Sequence, residues 1–114
     1  MRFPLIWRRL SWPEFVMALA VTVSPASAGE LPASRQAELT NLVRQDCGSC
    51  HGMTLKGGLG RPITPDQLDG YDSDSLAAII LDGVPGTPMP PWRGLISEND
   101  AQWMAEALLT GLQK

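Results

Sequence analysis

The stretch QDCGSCHGMTLKGGLG, residues 45–60, contains both cysteines and the only histidine of the 114-residue chain. Cys47, Cys50 and His51 form the pattern C-x-x-C-H. Three chemistries use a C-x-x-C pair, namely a redox disulfide, a zinc site and a covalently attached haem. The rest of the sequence decides which of them can be completed.

A thioredoxin-like disulfide is expected in a βαβ setting, and no segment of this sequence shows strand alternation. A structural zinc ion needs four ligands, and the motif uses every Cys and His of the chain. The contiguous C-x-x-C-H pattern is the attachment signature of haem c. Its two thiols add to the vinyl groups of the porphyrin, and the imidazole reaches the iron. We predict one haem c, bound through Cys47 and Cys50, with a short disulfide as the alternative.

The first 28 residues have the order of a secretory signal peptide. Three arginines precede the apolar run FVMALAVTV (residues 15–23), and an A-x-A cleavage pattern follows at residues 26–28. We expect cleavage after residue 28, a single domain over residues 29–114 and a location in the periplasm. The alternative is a retained membrane anchor, although a span needs roughly 20 apolar residues.

The predicted domain is acidic. Residues 29–114 carry six Lys/Arg and eleven Asp/Glu. Such a surface disfavours binding to nucleic acid and anionic membranes and favours a partner whose surface is basic or neutral. A domain limited to residues 29–114 is marginal for a stable core built from side chains alone. A buried haem would supply the apolar centre. We expect a monomer that meets redox partners.

Apolar spacing and capping residues predict an all-α fold of three to four helices around one covalently bound haem. The predicted segments are 34–46 with Ser34 as N-cap, a short turn at 64–69, a helix from Asp72 or Ser73 to near Gly83, and a last helix from Ser97 to about Gly111. The first helix runs straight into Cys47. The glycine-rich segment after His51 is predicted to be a loop that passes close to a flat ligand.

The sixth ligand of the iron must come from elsewhere, and Met is the usual partner in electron-transfer cytochromes. Met53 lies too close to His51 in the chain to reach the opposite face. Met104 falls on the apolar stripe of the last helix, where packing explains it. Met89 lies in GVPGTPMPPW, residues 83–92 (the Met89 loop), which its prolines stiffen. We predict His51 and Met89 as the ligands and Met104 as a core residue.

Trp92 and Arg93 stand at the end of the Met89 loop and directly after it. We hypothesise that they close over the haem, with the indole N–H or the guanidinium reaching a propionate, because the arginine fork matches a carboxylate. The alternative is that Trp92 is an ordinary core residue and Arg93 a solvated surface residue.

The order of these motifs resembles a class I cytochrome c over residues 34–112: C-G-S-C-H, a loop ending in Gly60-Arg61-Pro62, P-M-P-P-W and a C-terminal helix. The resemblance implies that the carbonyl of Pro62 accepts a hydrogen bond from His51. More narrowly, RQDCGSCHGMTLKGGLGRPITP and ILDGVPGTPMPPW are similar to the NirC-type small monohaem cytochromes of denitrification. That family is implicated in passing electrons to cytochrome cd1 nitrite reductase and, in some settings, in maturing its haem d1.

With both axial positions filled by the protein, one-electron transfer is the function left to the iron, so we expect no enzyme. The resemblance implies a periplasmic carrier between a respiratory donor and cytochrome cd1 nitrite reductase. The alternatives are support of haem d1 maturation and a general respiratory shuttle. If Met89 does not bind, a five-coordinate gas-binding haem protein is a further alternative, although helical-bundle cytochromes of that kind carry C-x-x-C-H near the C-terminus.

Overall fold

A computed structural model describes residues 30–112, so the predicted signal peptide (residues 1–28) lies outside the described residues. The regular elements are α1 (Ala33–Leu42), a π-helical turn (Val43–Cys47), α2 (Gly48–His51), α3 (Ser73–Asp82) and α4 (Glu98–Thr110). No strand occurs between residues 30 and 112, and the predicted all-α class is confirmed. Within this part of the chain, no helix has the length and apolar content needed to cross a bilayer.

The first helix begins at Ala33, so the prediction of Ser34 as its N-cap is wrong. Pro32 occupies the N-cap position, and its carbonyl accepts the Gln36 N–H at 3.0 Å. Pro32 has ψ of 145°, and a proline restricts the residue before it to extended conformations, so the helix does not extend towards the N-terminus. The Gln36 side-chain amide donates to the carbonyl of Leu31 at 2.8 Å. This bond ties the first turn to the residue before Pro32, and no side chain caps the backbone N–H groups of α1.

α1 continues without a break through the π-helical turn into α2. The Gly48 N–H bonds to the carbonyl of Val43, five residues earlier. The wider turn holds one residue more than an α-helical turn, which changes the face on which the following residues lie. Val43 is fully buried, and Cys47 packs against the same core. The π-helical turn thus connects the core-facing side of α1 to the C-x-x-C-H residues.

One apolar core holds α1, α3 and α4 together. Its helical members recur at the spacing of amphipathic helices. They are Leu39 from α1, Leu76, Ala77, Ile80 and Leu81 from α3, and Ala101, Met104, Ala105 and Leu108 from α4. Met104 has no exposed surface, and its predicted place in the core is confirmed.

Side-chain caps start α3 and α4 where the sequence predicts them. Asp72 accepts the Ser75 N–H at 2.8 Å. At the start of α4, Ser97 and Asp100 form a reciprocal capping box. Each cap satisfies backbone N–H groups that lack a partner within the helix.

The predicted helical segment at 64–69 is a hydrogen-bonded turn. The Leu68 N–H lies 3.0 Å from the carbonyl of Thr64, and the Leu68 side chain is buried in the core. Gly70 follows with φ of +92°, a left-handed conformation that ends helical propagation. The turn therefore anchors this connection to the core through one leucine.

Candidate cofactor site

The C-x-x-C-H residues lie at the end of the first helical segment. Cys47 is the last residue of the π-helical turn, and Cys50 and His51 lie in α2. The two cysteines form no disulfide with each other; Cys47 is half-buried against the core, and Cys50 is exposed. The thiols are about one helical turn apart. This spacing suits attachment to two points of one macrocycle.

Burial makes Cys47 a poor attacking thiol. Burial, helped by the neighbouring Asp46 carboxylate, raises the pKa of the Cys47 thiol to about 11. The attacking thiol of a redox-active C-x-x-C pair needs the opposite shift, because the thiolate is the nucleophile. Among residues 30–112 there is also no group of three or more His, Cys, Asp or Glu side chains placed to hold a metal ion. Neither a thioredoxin-like site nor a zinc site is supported.

His51 is oriented by a backbone carbonyl. Its Nδ1 lies 2.6 Å from the carbonyl oxygen of Arg61. Since a carbonyl only accepts, Nδ1 carries the proton and Nε2 keeps the lone pair that a metal would bind. The acceptor is Arg61, so the prediction that the Pro62 carbonyl holds His51 is wrong. Pro62 contributes indirectly, because a proline restricts the residue before it to extended conformations.

Gly60 permits the close approach of the loop to the imidazole ring. A Cβ at this position would lie 2.8 Å from Nδ1 and 2.9 Å from Cε1 of His51. The Gly60 N–H donates to the carbonyl of Cys50, and the Gly57 N–H donates to the carbonyl of His51, both at 2.7 Å. These bonds satisfy carbonyls at the end of α2. Contact with the His51 ring therefore accounts for Gly60, and the passage of this loop close to a flat ligand stays a prediction.

The Met89 loop contains a hydrogen-bonded turn just before Met89. The Met89 side chain is half-buried. The Thr87 N–H donates to the carbonyl of Val84 at 3.2 Å, and Gly86 has φ of +77°. With Pro85 at the second position, this is the pattern of a type II β-turn. The Thr87 hydroxyl donates to the same carbonyl at 2.7 Å and lies 3.4 Å from the Met89 nitrogen. Thr87 therefore adds to the stiffness that the sequence assigned to the prolines alone.

Both ends of the Met89 loop are tied to the last turn of α3. A Cβ on Gly83, whose φ is +67°, would lie 2.7 Å from the carbonyl oxygen of Met89. At the other end, the backbone N–H groups of Trp92 and Arg93 both donate to the carbonyl of Leu81 at 3.0 Å. Only glycine allows the backbones to approach this closely at position 83. The loop is therefore closed at its base.

Trp92 and Arg93 have different surroundings. Trp92 is half-buried and packs against the core. The Arg93 Nε and Nη2 lie 3.0 and 2.7 Å from Oδ1 of Asp82, and Nη1 lies 3.2 Å from Oε1 of Glu98. The pKa of Arg93 is raised, mainly by the hydrogen bonds to Asp82. The guanidinium is thus bonded to protein carboxylates, and a propionate contact for either residue stays a prediction.

The residues around the motif fit a flat apolar cofactor. Among the described residues, the exposed large apolar side chains all lie outside the helices. They are Met53, Leu59, Tyr71, Val84 and Leu95. Met53 and Leu59 belong to the loop after His51, and Val84 belongs to the Met89 loop. Uncovered apolar side chains on the loops next to both predicted ligands suit a haem macrocycle.

Comparisons with known proteins agree with this site. The family described as cytochrome C oxidase, cbb3-type, subunit III, matches residues 34–106. Cytochrome c55X of Paracoccus denitrificans (strain Pd 1222) is 55% identical over 93 residues, covering 82% of this chain and 90% of that protein. The solved structure of a c-type cytochrome NirC is 52% identical, with a TM-score of 0.69, and the match covers 72% of this chain and 96% of that chain. Dihydro-haem d1 dehydrogenase of Pseudomonas aeruginosa is 33% identical over 76 residues, which cover 67% of this chain but 14% of that protein.

A helical fold with C-x-x-C-H at the end of its first helical segment, matched by a cytochrome family over more than half of the chain, defines a c-type cytochrome. The family indicates haem c, and the relatives named as cytochromes c are electron carriers rather than enzymes. Within the class, the chain belongs to the family of NirC-type cytochromes, the cytochromes c55X.

Proposed function

We propose that the protein is a periplasmic one-electron carrier of denitrification that donates electrons to cytochrome cd1 nitrite reductase. Cys47 and Cys50 would link one haem c, and His51 and Met89 would ligate its iron, after cleavage of residues 1–28. The observation that carries the proposal is the orientation of His51. The hydrogen bond from Nδ1 to the Arg61 carbonyl fixes the ring and leaves Nε2 as a ligand at the end of the C-x-x-C-H helix.

The haem supplies a one-electron couple when bound. The chain contributes a site whose ligands move little between oxidation states. Arg61 and Gly60 restrict the His51 ring, and the turn before Met89 restricts the second ligand. Small movement means a small reorganisation energy and fast electron exchange. With His51 and Met89 both ligating the iron, substrates would be kept from it.

The partner surface is expected to be basic or neutral, because the domain is acidic. Electron-transfer complexes bury little area and dissociate quickly. If the docking face of the reductase is basic, transfer slows as salt rises, since the Debye length falls from about 10 Å at 0.1 M to about 3 Å at 1 M. Rates that do not depend on salt indicate apolar docking around the haem edge.

Stopped-flow mixing of the reduced protein with oxidised cytochrome cd1 nitrite reductase tests the donor role. The control is an unrelated acidic c-type cytochrome of similar reduction potential. We expect the protein described here to be oxidised faster than the control. Equal rates at every salt concentration reject the donor role and favour a general carrier.

Support of haem d1 maturation is the second candidate. It is favoured by the similarity of two-thirds of this chain to a part of dihydro-haem d1 dehydrogenase. In that role the protein would exchange electrons during biosynthesis of the cofactor. A strain that lacks the protein separates the two roles. A donor role predicts nitrite reductase with its full content of haem d1, whereas a maturation role predicts reductase depleted of haem d1.

A further inference from the structure

Arg93 connects three parts of the chain that meet at the base of the Met89 loop. Its backbone N–H is bonded to Leu81 in the last turn of α3. Its side chain donates twice to Asp82, the last residue of α3, and once to Glu98, the first residue of α4. One residue therefore joins the end of one helix, the exit of the loop and the start of the next helix.

The position of Asp82 needs a cation nearby. A carboxylate at a helix C-terminus faces the negative end of the helix dipole and is unfavourable there. Between Arg61 and Arg93 the sequence contains no lysine, arginine or histidine. The ion pair shows that Arg93 offsets the charge of Asp82, whereas Glu98 lies at the N-terminus of α4, where a negative charge is already favourable. Of the two ion pairs of Arg93, the pair with Asp82 is therefore the one that offsets an unfavourable charge.

The ten residues between Asp82 and Arg93 are the Met89 loop itself. Displacing Met89 by more than a small movement requires the loop to separate from α3. Gly83 is packed against the backbone at Met89, so the two sides of the loop cannot shift independently. Separation then breaks the bond of Arg93 to Leu81 and disturbs its ion pair with Asp82. The ion pair and the position of Met89 are therefore coupled.

We propose that Arg93 and Asp82 form a clamp that keeps the Met89 loop closed, which makes Arg93 a positioning residue for Met89. The inference rests on the ligation by Met89 proposed above. It gives Arg93 a protein partner in place of a haem propionate. Because both side chains are about half exposed, the clamp is weakened by salt, and its removal shifts the opening of the loop by about 2- to 5-fold.

Imidazole binding to the ferric holoprotein measures this opening, since an added ligand reaches the iron only after Met89 leaves. Arg93→Gln should bind imidazole about 2- to 5-fold more tightly than the natural protein. Asp82→Asn should give a similar change, and the double variant should show less than the product of the two effects. Added salt should tighten binding to the natural protein and have less effect on Arg93→Gln.

Two control variants carry the same charge changes away from the loop. Lys56→Gln and Asp69→Asn replace exposed residues of other loops, and both should bind imidazole like the natural protein. If these controls tighten binding as much as the clamp variants, net charge is the cause and the clamp is rejected.

The outcomes separate failure of the clamp from failure of the ligation. A ferric natural protein without the near-infrared sulfur-to-iron band overturns both, because Met89 is then not bound. A normal band with unchanged imidazole affinity in Arg93→Gln overturns the clamp alone. A changed affinity in Arg93→Gln but not in Asp82→Asn also overturns the clamp, and assigns the effect of the guanidinium to another anion, either Glu98 or a propionate.

Discussion

Arg35 of α1 and Asp100 of α4 are joined by two hydrogen bonds, from Nη2 to Oδ2 at 2.8 Å and from Nε to Oδ1 at 3.1 Å. The Asp100 side chain is 7% exposed and also accepts the Ser97 N–H at 2.9 Å. Arg35 is the main reason that the pKa of Asp100 is lowered to about 2. The pair fastens the helix that leads to C-x-x-C-H to the last helix of the core.

Asp100→Asn should therefore destabilise the protein in a pH-dependent manner. Because the folded-state pKa lies below the ordinary value of 3.8, the ionised carboxylate stabilises the fold. That contribution is complete above about pH 4 and is lost as the pH falls through about 2. At pH 7 the variant should lose about 2 kcal/mol of unfolding free energy, measured by urea unfolding followed by circular dichroism.

Glu38→Gln is the matched control for this variant, since Glu38 pairs with the same arginine at an exposed position. It should change the unfolding free energy by less than about 0.5 kcal/mol. The difference between the natural protein and Asp100→Asn should shrink between about pH 4 and pH 2. A difference that stays constant over this range shows that lost packing, and not the charge, is responsible.

Gly60→Ala should destabilise the site of His51. The new methyl group would lie 2.8 Å from Nδ1, so the ring or the loop must shift and the bond to Arg61 weakens. We expect a loss of about 1–3 kcal/mol in unfolding free energy of the holoprotein. Gly94→Ala is the control, since a Cβ there meets no atom within 4 Å. Equal stability of the two variants would show that the loop tolerates a Cβ at position 60.

The helices follow from the sequence where their signals are local. Asp72 and Ser97 cap the helices they were predicted to cap, because a cap needs only a few consecutive residues. The π-helical turn has no local sequence signal, because it depends on Val43 and Cys47 both packing against the core. The start of α1 was missed because Pro32, whose side chain cannot accept a hydrogen bond, occupies the N-cap position and no side chain caps this helix.

The same distinction applies to the candidate site. The C-x-x-C-H residues are contiguous, so their pattern alone indicates their chemistry. The acceptor for His51 is ten residues away, and a shift of one residue, from Pro62 to Arg61, cannot be read from the sequence. The partners of Arg93 lie at the ends of two helices, so they are known only once the fold brings those ends together.

Covalent attachment of the haem predicts a specific mass. The periplasmic protein should begin at Gly29 and carry the mass of one haem that acid-acetone does not extract. Cys47→Ala and Cys50→Ala should each sharply lower the yield of holoprotein, because the apolar loops are left without their cofactor. Mass spectrometry and an extraction assay measure both effects. Extractable haem in the natural protein contradicts the thioether links.

The last prediction concerns which methionine ligates the iron, the half-buried Met89 or the buried Met104. Met89 sits in a loop tied to α3, and Met104 is enclosed by the core of α4. The ferric holoprotein should show the weak near-infrared sulfur-to-iron band, and Met89→Ala should abolish it. Met104→Leu conserves volume, so it should keep the band and cost less than about 1.5 kcal/mol of unfolding free energy. A band that survives Met89→Ala but disappears in Met104→Leu would place the ligand in α4, and would require the core around Ala101 and Leu108 to rearrange when the haem binds.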